Sequence, residues 1–403
     1  MKKQRSTEEN ILRLAYRAIN EVECCRSTLD DLLDAPEYLP LRRTLSHLLT
    51  GYFKYKKAID AALAKYFIRT PDKETHALLK AALAQAVLQH NSAPESVVNV
   101  AVECGKKLHT HGFVNAVLRR ALADMKTSSL PSDAENILPD NLLARWKKQF
   151  SETETEQFSA AFVAIPDFTF RLEHKIKELS FEWKECYSPS EEFPFGTAMA
   201  HDVLNSQEFL TGKLYIQDPA ASFAVSLAPA EKVSNILDLC AAPGGKSLML
   251  IEKYPQTEKF TAFDRSSRRQ ELTRKNFELR NIQFPVISDR KLLGVNYDLI
   301  LLDAPCSNSG VFRRRPDALW RFSQEEMMKN VAIQSELLDE AASRVISGGY
   351  IIYSTCSIDQ EEDELQIESF LLRHKQFKLV KSGKLLPTLQ HDGAFAALLK
   401  KEE

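Results

Sequence analysis

The chain has 403 residues, of which 44% are hydrophobic and 27% are charged, and its formal net charge is -2 at pH 7. This composition is typical of a folded globular protein and excludes a mainly disordered chain, and the length predicts two or three domains. No run of about 18 apolar residues is present to cross a membrane, and no apolar segment of a signal peptide follows the basic first residues, so we expect a cytoplasmic protein without membrane attachment.

The seven cysteines, at positions 24, 25, 104, 186, 240, 306 and 356, form no Cys-x-x-Cys pair. The sequence therefore offers neither a zinc ribbon nor a thioredoxin-like site, and we expect no metal. An odd number of cysteines in a cytosolic chain indicates free thiols, and it leaves room for catalytic ones.

The first 125 residues have apolar side chains at the spacing of amphipathic helices. These side chains are Ile11, Leu12, Ala15, Ala18, Ile19 and Val22, then Leu45, Leu48, Leu49, Tyr52, Phe53, Ile59 and Leu63. Further helical patterns cover residues 76–90, 95–108 and 111–125, and no alternating β pattern interrupts them. The sequence therefore predicts a helical bundle for this part of the chain.

The charge is unevenly distributed along the chain. Residues 1–150 carry 23 Lys and Arg against 17 Asp and Glu, a net charge of +6, whereas the remainder carries 30 against 38. A basic domain of this kind is common in nucleic-acid-binding proteins. An ordinary fluctuation in surface charge explains the difference equally well, so the charge alone does not decide between the two.

The middle of the chain carries the weakest pattern. Residues 126–135 are polar and contain Pro131, which predicts a linker. A short helix is predicted over residues 141–150, and a small α+β element is expected in the mixed segment that follows. The predicted domains are therefore residues 1–135, 136–230 and 231–403.

From about residue 231, short apolar runs alternate with helical ones. The apolar runs cover residues 233–239, 260–263, 285–288, 299–302 and 350–353. A long helix is predicted over residues 323–346, because Ser323 and Glu326 have the spacing of a capping box. This alternation predicts a parallel, doubly wound sheet. Since ligands of such sheets bind beyond the carboxyl ends of the strands, the polar residues that close each run are the candidate site residues.

The first apolar run is followed by a loop that contains two adjacent glycines. Glycines here allow the backbone to approach a ligand closely and to open a helix. Gly245-Lys246-Ser247 also matches the end of a nucleotide-phosphate loop, for which Asp303 would be the magnesium-binding partner. That motif requires a glycine at position 240, where this chain has Cys240, and Pro243 removes a backbone donor. An NTPase therefore stays a weak alternative.

Acidic residues close the second and third apolar runs. Asp264 lies 26 residues after Asp238, where a carboxylate suits hydrogen bonding to the hydroxyl groups of a ribose. A helix N-cap is the alternative for Asp264. Asp289 closes the third run and is ambiguous in the same way. Together these residues predict a strip that binds a nucleoside.

The fourth and fifth runs each end close to a cysteine. Asp303-Ala304-Pro305-Cys306 follows the fourth run, and Thr355-Cys356-Ser357 closes the fifth. Two cysteines are therefore expected at the tips of two strands. The alternative for each is a small buried hydrophobic side chain, which is the commonest fate of a free cysteine. An acidic residue and a basic segment nearby make that alternative weaker for the pair than for either cysteine alone.

These motifs resemble those of the RNA cytosine-5 methyltransferases that use S-adenosylmethionine. The resemblance lies in residues 238–247, 303–306 with the following Arg-Arg-x-Pro-Asp segment, and 355–357, and also in 217–222 and 392–395. In the helical part, residues 93–103 and 112–120 resemble the NusB-like RNA-binding domain. A fusion of the two is similar to the Sun/RsmB family, whose members methylate 16S ribosomal RNA.

The resemblance implies an all-α NusB-like bundle, a small α+β element and an α/β Rossmann-like methyltransferase domain. It also implies transfer of a methyl group from S-adenosylmethionine to carbon 5 of a cytosine in 16S ribosomal RNA, of the cytosine 967 type. Separately from the resemblance, we expect a monomer. Two other functions stay open. One is methylation of a transfer RNA cytosine by the same catalytic domain, and the other is a non-catalytic NusB-like RNA-binding or antitermination protein.

The family also implies roles for individual residues. Cys356 is at the position of the nucleophile that adds to carbon 6 of the base, Cys306 is at the position that assists release of the methylated RNA, and Asp303 faces the cytosine and the cofactor. The residues implied to hold S-adenosylmethionine are Cys240, Ala241, Ala242, Pro243, Gly244, Gly245, Lys246, Asp264, Asp289 and Asp303. Those implied to neutralise RNA phosphates, unless they form an ordinary solvated charge run, are Arg313, Arg314, Arg315 and Arg321.

The chain departs from the family pattern at three places. Ser307-Asn308-Ser309-Gly310 stands where members usually have Ser-Gly-Thr-Gly, and Asp363 replaces the usual Asn after two glutamates. Arg171-Leu172-Glu173 stands in place of an Arg-Val-Asn pattern. We expect the first departure to alter the active-site loop or the base pocket without removing a functional side chain.

Overall fold

A computed structural model describes residues 2–89, 93–125, 130–173, 176 and 178–402, with side chains from residue 7 onward. The chain forms two compact units, Met1–Ala164 with Phe312–Phe322, and Ile165–Val311 with Ser323–Glu403. The division into three domains at residues 135 and 230 stays a prediction. Within the described residues, every helix is too short or too polar to pass through a lipid bilayer.

The elements are numbered in chain order. The helices are α1 (Lys2–Glu23), α2 (Leu29–Leu33), α3 (Arg42–Lys54), α4 (Lys56–Ala64), α5 (Lys73–Leu88), α6 (Pro94–Lys107), α7 (His111–Met125), α8 (Ala134–Ile137), α9 (Asp140–Trp146), α10 (Glu152–Val163), α11 (Ala200–Asn205), α12 (Gln207–Leu210), α13 (Phe223–Ser226), α14 (Gly245–Lys253), α15 (Ser267–Glu278), α16 (Pro316–Arg321), α17 (Gln324–Arg344) and α18 (Glu364–Arg373). The strands are β1 (Thr169–Leu172), β2 (Lys184–Cys186), β3 (Phe195–Thr197), β4 (Leu214–Ile216), β5 (Asn235–Asp238), β6 (Lys259–Phe263), β7 (Val286–Ile287), β8 (Tyr297–Asp303), β9 (Val345–Thr355), β10 (Phe377–Leu385) and β11 (Ala394–Lys401).

The first unit contains the predicted helical bundle. Helices α1, α3, α5, α6 and α7 enclose its core, and the apolar residues predicted from helical spacing are buried except Ile11, which is partly buried. Helix α5 begins earlier than predicted because the Asp72 carboxylate caps it, accepting a hydrogen bond from the backbone N of Thr75 at 2.9 Å. His90, the predicted end of this helix, lies outside the described residues, as do residues 126–129 of the predicted linker.

The second half of the first unit carries the predicted short helix. This helix, α9, ends at Trp146, whose ring is fully buried and packs edge-on against Phe158 with centroids 5.1 Å apart. The described end of the predicted linker is already helical, because Asp133 caps α8 by accepting a hydrogen bond from the backbone N of Asn136. This turn of helix was not predicted, because the polar composition of residues 126–135 indicated a linker.

Residues Phe312–Phe322 belong to the first unit, although they follow Cys306 in sequence. The Phe312 ring stacks on Trp146 with centroids 6.0 Å apart. The indole N–H of Trp320 donates a hydrogen bond to the backbone O of Phe53 at 2.7 Å, and the Asp317 carboxylate accepts one from the backbone N of Leu29. Apolar packing and hydrogen bonds therefore hold this segment in the helical unit.

The second unit begins with the expected small α+β element. Its antiparallel sheet has the order β2-β3-β1-β4. Phe170 and Leu172 of β1 pack with Val203 and Leu214 in a small separate core. After this sheet, the chain continues through α13 to β5, the first strand of the larger sheet in the same unit.

The larger sheet has seven strands in the order β10-β11-β9-β8-β5-β6-β7. Strands β9, β8, β5, β6 and β7 run parallel, as predicted. The prediction of a parallel sheet is wrong at the other edge, where β11 pairs antiparallel with β9, and β10 pairs antiparallel with β11. Residues 386–393 join β10 to β11, and so short a connection permits an antiparallel pair but not a parallel one.

The five parallel strands bring the predicted site residues to one edge of the sheet. Strands β5 and β8 are buried, and two apolar cores lie against the sheet. Strand β5 ends at Asp238, β8 ends at Asp303, and β9 ends immediately before Cys356. Because parallel strands share one carboxyl edge, the polar residues that close these strands face the same crevice.

Candidate active site

The loop between β5 and α14 is anchored at both ends. The Asp238 carboxylate is buried and accepts hydrogen bonds from the Ser247 hydroxyl at 2.6 Å and from the backbone N of Cys240 at 3.4 Å. Gly244, which precedes α14, has φ +102°, and a Cβ there would lie 3.1 Å from the Thr273 side chain. A glycine is therefore required at this turn, which leads directly into the N-terminus of α14, the end of a helix that favours anionic groups.

Burial controls the charge of the loop residues. Burial raises the pKa of Asp238 to about 7, and the Asp303 carboxylate adds to this effect, while the Ser247 hydrogen bond and Lys246 oppose it. Lys246 is itself buried, which lowers its pKa, but the Asp303 carboxylate 2.7 Å from its Nζ raises the pKa overall. Burial also raises the pKa of the Cys240 thiol, with Asp238 adding to it. Cys240 is thus a neutral thiol at pH 7.

Asp264 holds the same loop from the end of the neighbouring strand. Its carboxylate accepts hydrogen bonds from the backbone N of Ala242 at 3.3 Å and of Ser266 at 2.9 Å, and it lies 3.6 Å from the Arg269 guanidinium. Ser266, not Asp264, caps α15. Asp264 therefore faces the predicted cofactor loop, and the N-cap alternative for it is wrong.

Asp289 takes the conformation of a turn cap. Its side chain is exposed and accepts a hydrogen bond from the backbone N of Lys291 at 2.9 Å, at the start of a short 3-10 turn. The structure therefore supplies the alternative explanation for this residue, and a contact with the cofactor stays a prediction.

The two cysteines from the strand tips face each other. The Sγ atoms of Cys306 and Cys356 are 3.3 Å apart, and both side chains are partly exposed. A hydrogen bond to Cys356 and burial raise the pKa of Cys306 well above its ordinary range. Lys246 interacts electrostatically with both Asp303 and the Cys356 thiol, so these groups share one site. The alternative of two separate, fully buried thiols does not apply.

The loops that carry the cysteines are joined by short contacts. The backbone N of Gly310 donates to the backbone O of Cys356 at 2.9 Å, and the hydroxyl groups of Ser309 and Ser357 are 3.0 Å apart. A Cβ on Gly310 would lie 2.7 Å from the Cys356 oxygen, so only glycine fits. The Oδ1 atom of Asn308 accepts a hydrogen bond from the Cys356 thiol at 3.3 Å.

Sequence reasoning missed several residues around these thiols. The sequence indicated no role at the thiols for Asn308, Glu362 or Asp363, which stood out only as parts of family motifs or departures from them. In the structure, Asn308 contacts Cys356, and Glu362 and Asp363 are buried beside the cysteine loops. Lys384, which contacts Asp363, was not singled out at all. A spacing pattern does not reveal such contacts, because they join segments far apart in sequence.

The predicted phosphate-binding arginines lie in the helical unit. Arg313 is only 1% exposed, so the prediction that it neutralises an RNA phosphate is wrong. Arg321 lies 3.0 Å from the Asp317 carboxylate and Arg315 lies 3.5 Å from that of Asp30. These carboxylates neutralise much of the charge that phosphates would need, and RNA contact by the exposed arginines stays a prediction.

Comparison with known proteins identifies two domains in this chain. Residues 224–396 match the family described as 16S rRNA methyltransferase RsmB/F, and residues 6–123 match the NusB family. Two relatives, from Yersinia enterocolitica and Yersinia pseudotuberculosis, are named ribosomal RNA small subunit methyltransferase B. Each is 29% identical over 296 residues, which cover 69% of this chain and 68% of the relative.

Solved structures support the fold. The crystal structure of PH0851 has a TM-score of 0.75 at 24% identity and covers 98% of this chain and 99% of its own. A methyltransferase homologue from Pyrococcus horikoshii has a TM-score of 0.55 at 23% identity, with 65% of this chain and 95% of its own covered. At these identities the likeness establishes the fold alone.

The matches also decide between the classes of function that the sequence left open. A methyltransferase domain excludes the NTPase reading of the loop after β5 and the reading of the whole chain as a non-catalytic NusB-like protein. S-adenosylmethionine is the cofactor of such an enzyme, and the glycine turn at Gly244 with the buried carboxylates of Asp238 and Asp264 beside it fits this group. The chain therefore joins a NusB-family domain to a methyltransferase domain of the RsmB/F type, an S-adenosylmethionine-dependent RNA methyltransferase.

Proposed function

We propose that the protein methylates carbon 5 of a cytosine in small-subunit ribosomal RNA, of the cytosine 967 type, through a covalent adduct on Cys356. The observation that carries the proposal is the pair of thiols 3.3 Å apart beside the Lys246–Asp303 ion pair. The names of the relatives support ribosomal RNA as the substrate. The chain would reach the base in a loop or flexible strand, because a base in a duplex must be unstacked before a thiol can attack it.

Cys356 would begin the reaction. Carbon 5 of cytosine is a poor nucleophile, and addition of the Cys356 thiolate to carbon 6 converts the ring to an enamine that attacks from carbon 5. As the C6–S bond forms, an electron pair moves to N3, which then requires a proton or a strong hydrogen bond. The Lys246–Asp303 pair is the group of this site that can supply it. S-adenosylmethionine supplies the methyl group as part of a sulfonium.

Cys306 would complete the reaction. The hydrogen bond between the two sulfur atoms is the largest cause of the raised pKa of Cys306, and the Cys356 charge adds to it. Both causes are lost once the sulfur of Cys356 is bonded to carbon 6, whereas burial and the Glu362 charge still raise the Cys306 pKa. In its thiolate form, with its own proton lost to water, Cys306 would take the proton from carbon 5. The electron pair of the C5–H bond restores the ring double bond, the C6–S bond breaks, the Cys356 thiolate leaves, and N3 returns its proton to the Lys246–Asp303 pair.

The cofactor would lie against the loop after β5. Gly244 lets the loop turn into α14 without a side chain, and Asp264 offers a carboxylate directly after β6 for ribose hydroxyl groups. The residues that we assign to this site are Cys240, Ala241, Ala242, Pro243, Gly244, Gly245, Lys246, Asp264 and Asp303, with Asp289 as a further candidate.

The test compares the two cysteine variants with the wild-type protein. Each is incubated with labelled S-adenosylmethionine and unmodified 16S ribosomal RNA, with transfer RNA in parallel, and resolved on denaturing gels. Cys356→Ala should lose methylation and give no covalent band, because no adduct at carbon 6 can form. Cys306→Ala should permit attack and methyl transfer and then retain the RNA as a covalent band.

The gel pattern and the position of the modification distinguish the other possibilities. A covalent band with Cys356→Ala alone would reverse the two roles. If both variants are inactive and give no band, the release role of Cys306 is unsupported. Bisulfite sequencing of the product then locates the cytosine, and modification of transfer RNA alone would contradict the ribosomal substrate.

A further inference from the structure

Glu362 has a fully buried carboxylate, which is hydrogen-bonded directly to the residue after Cys306 and through Gln334 to the residue before it. It accepts hydrogen bonds from the backbone N of Ser307, at 2.9 and 3.2 Å to its two oxygens, and from the Ser307 hydroxyl at 2.5 Å. It also accepts one from Nε2 of Gln334 at 3.1 Å, and the same Nε2 donates to the backbone O of Pro305 at 2.8 Å. The residues before and after Cys306 are therefore both tied to this carboxylate.

The next residue, Asp363, makes the matching contact on the other cysteine loop. Its carboxylate accepts a hydrogen bond from the Thr355 hydroxyl at 2.6 Å and lies 3.1 Å from Nζ of Lys384. The Thr355 hydroxyl in turn accepts one from the backbone N of Ser357 at 3.2 Å. Thr355 and the backbone N of Ser357 are thus tied to Asp363, while the Ser357 hydroxyl also faces Glu362.

Burial of two neighbouring carboxylates is costly unless their hydrogen bonds repay it. In the part of the chain that the structure describes, no Lys or Arg contacts the Glu362 oxygens, and burial raises the pKa of Glu362. The groups that face it are Ser307, Gln334 and the Ser357 hydroxyl, with the Asp359 charge nearby. An apolar side chain would fill this place without that cost, but it would leave the Ser307 N–H without a partner and the loop without its anchor.

We infer that Glu362 is a positioning residue that fixes the Cys306 thiol against Cys356. It acts through Ser307 directly and through Gln334 and Pro305, and it does not touch the reacting base. The consequence for release of methylated RNA rests on the function proposed above, but the placement of the thiol does not. Displacement of a reacting group by about 1 Å is enough to cost up to about a hundredfold in rate.

The first experiment measures the distance between the thiols without using the methyltransferase reaction. The full-length protein is treated with diamide, which takes up two protons and two electrons from the thiols and becomes a hydrazine, while one S–S bond forms. Mass spectrometry of tryptic peptides quantifies the Cys306–Cys356 link over time. Glu362→Gln and Glu362→Ala should each slow this link by about tenfold or more, because the thiol pair loses its fixed geometry.

Control variants separate positioning from folding. Glu368→Gln removes the same charge from an exposed position of α18 and should cross-link at the wild-type rate. Ser307→Ala keeps the backbone and removes one of the hydrogen bonds to Glu362, so its rate should lie between the wild-type and Glu362→Ala rates. Wild-type cross-linking rates in folded Glu362→Gln and Ser307→Ala would overturn the inference, even if Glu362→Ala does not fold.

The second experiment uses the covalent RNA band. Because Cys306 is displaced in Glu362→Gln, this variant should accumulate the covalent complex as Cys306→Ala does. Its kcat should fall and its KM for RNA should fall with it, because the slowed step comes after the attack. A fall in RNA affinity without a band would contradict a positioning role. If the wild-type protein forms no adduct with any RNA, the proposed function fails, whereas a slowed cross-link in Glu362→Gln still establishes the placement of Cys306.

Discussion

Asn308 has a backbone φ of +61°, in the left-handed region that glycine adopts most readily. Asparagine is among the few other residues that tolerate this conformation, so the chain keeps the turn where the family pattern has glycine. Its Oδ1 adds a hydrogen-bond acceptor 3.3 Å from the Cys356 sulfur. The departure therefore preserves the loop and changes the environment of one thiol, as expected for a change that removes no functional side chain.

The stability of the methyltransferase unit should depend on pH through Asp238. Its pKa is raised by burial from 3.8 to about 7, so the protonated form is favoured in the folded state. The stabilisation from this group is fully present below pH 3.8 and is lost as the pH rises through 7. Between pH 5 and pH 8 the free energy of unfolding of the wild-type protein should fall by about 3 kcal/mol relative to that of Asp238→Asn, whose side chain does not ionise.

Calorimetric unfolding of both proteins at the two pH values measures this difference. Asp202→Asn, at an exposed position, is the matched control and should follow the wild-type pH dependence. If the free energies of unfolding of wild-type and Asp238→Asn differ by the same amount at pH 5 and at pH 8, Asp238 is ionised at both pH values and the prediction is wrong.

The site residues at the ends of strands could be predicted from the sequence, whereas the residues whose hydrogen bonds position the cysteine loops could not. Asp303 and Cys356 were predictable because each follows an apolar run, and such runs mark buried strands by themselves. Glu362 lies in a run of acidic residues that is typical of a solvated surface. Its burial depends on Ser307, 55 positions away, and no local pattern reports a contact of that separation.

Among the elements, the central parallel strands were predictable and the strands at one edge were not. Strand β8 contains an unbroken run of four buried apolar residues, 299–302, and this pattern is typical of a parallel strand. Strand β10 is largely exposed and carries three lysines, so its apolar pattern is too weak to indicate a strand. Residues 377–385 form a strand because they pair with β11, and this pairing is not visible in their composition.

Segment Phe312–Phe322 should contribute strongly to the stability of the helical unit. Phe312 is fully buried between Trp146 and Phe162, with ring centroids 6.0 and 5.4 Å away. Phe312→Ala leaves a cavity that the surrounding rings fill only partly, so we expect it to destabilise this unit by about 3–5 kcal/mol. Calorimetry of the full-length protein measures the loss.

Leu39→Ala is the control for this prediction, because Leu39 is 52% exposed in the same unit. It should change stability by less than about 0.5 kcal/mol. An equally small effect of Phe312→Ala would mean that residues 312–322 are not anchored in the helical unit in solution.

At the scale of the whole molecule, the chain leaves the methyltransferase unit and returns to it. The cysteine loop ends at Val311, the next 11 residues belong to the helical unit, and the methyltransferase unit resumes at Ser323. The NusB-family match ends at residue 123, whereas the helical unit extends to Ala164 and includes this inserted segment. A fragment of residues 1–125 therefore lacks Trp146, Phe312 and Trp320, and RNA binding is best tested in the full-length chain.

RNA binding should weaken as the salt concentration rises, because cations released from the phosphates accompany each contact with a basic side chain. The excess of six positive charges over residues 1–150 predicts a shallow dependence. Arg119 and Arg120 are exposed neighbours on α7, in the segment that resembles the NusB-like domain. If both contact phosphates, Arg119→Gln with Arg120→Gln should reduce the slope of log K against log salt by about 2.

Filter binding of unmodified 16S ribosomal RNA across a salt series measures this slope. Arg26→Gln with Arg42→Gln is the matched control, since it removes two charges that already pair with Glu21 and Asp34 at 2.9 and 3.0 Å. The control should keep the wild-type slope, because a paired arginine releases few cations on binding. Equal slopes for all three proteins would place the phosphate contacts outside α7, and salt-independent affinity would assign the helical unit to contacts with protein instead of RNA.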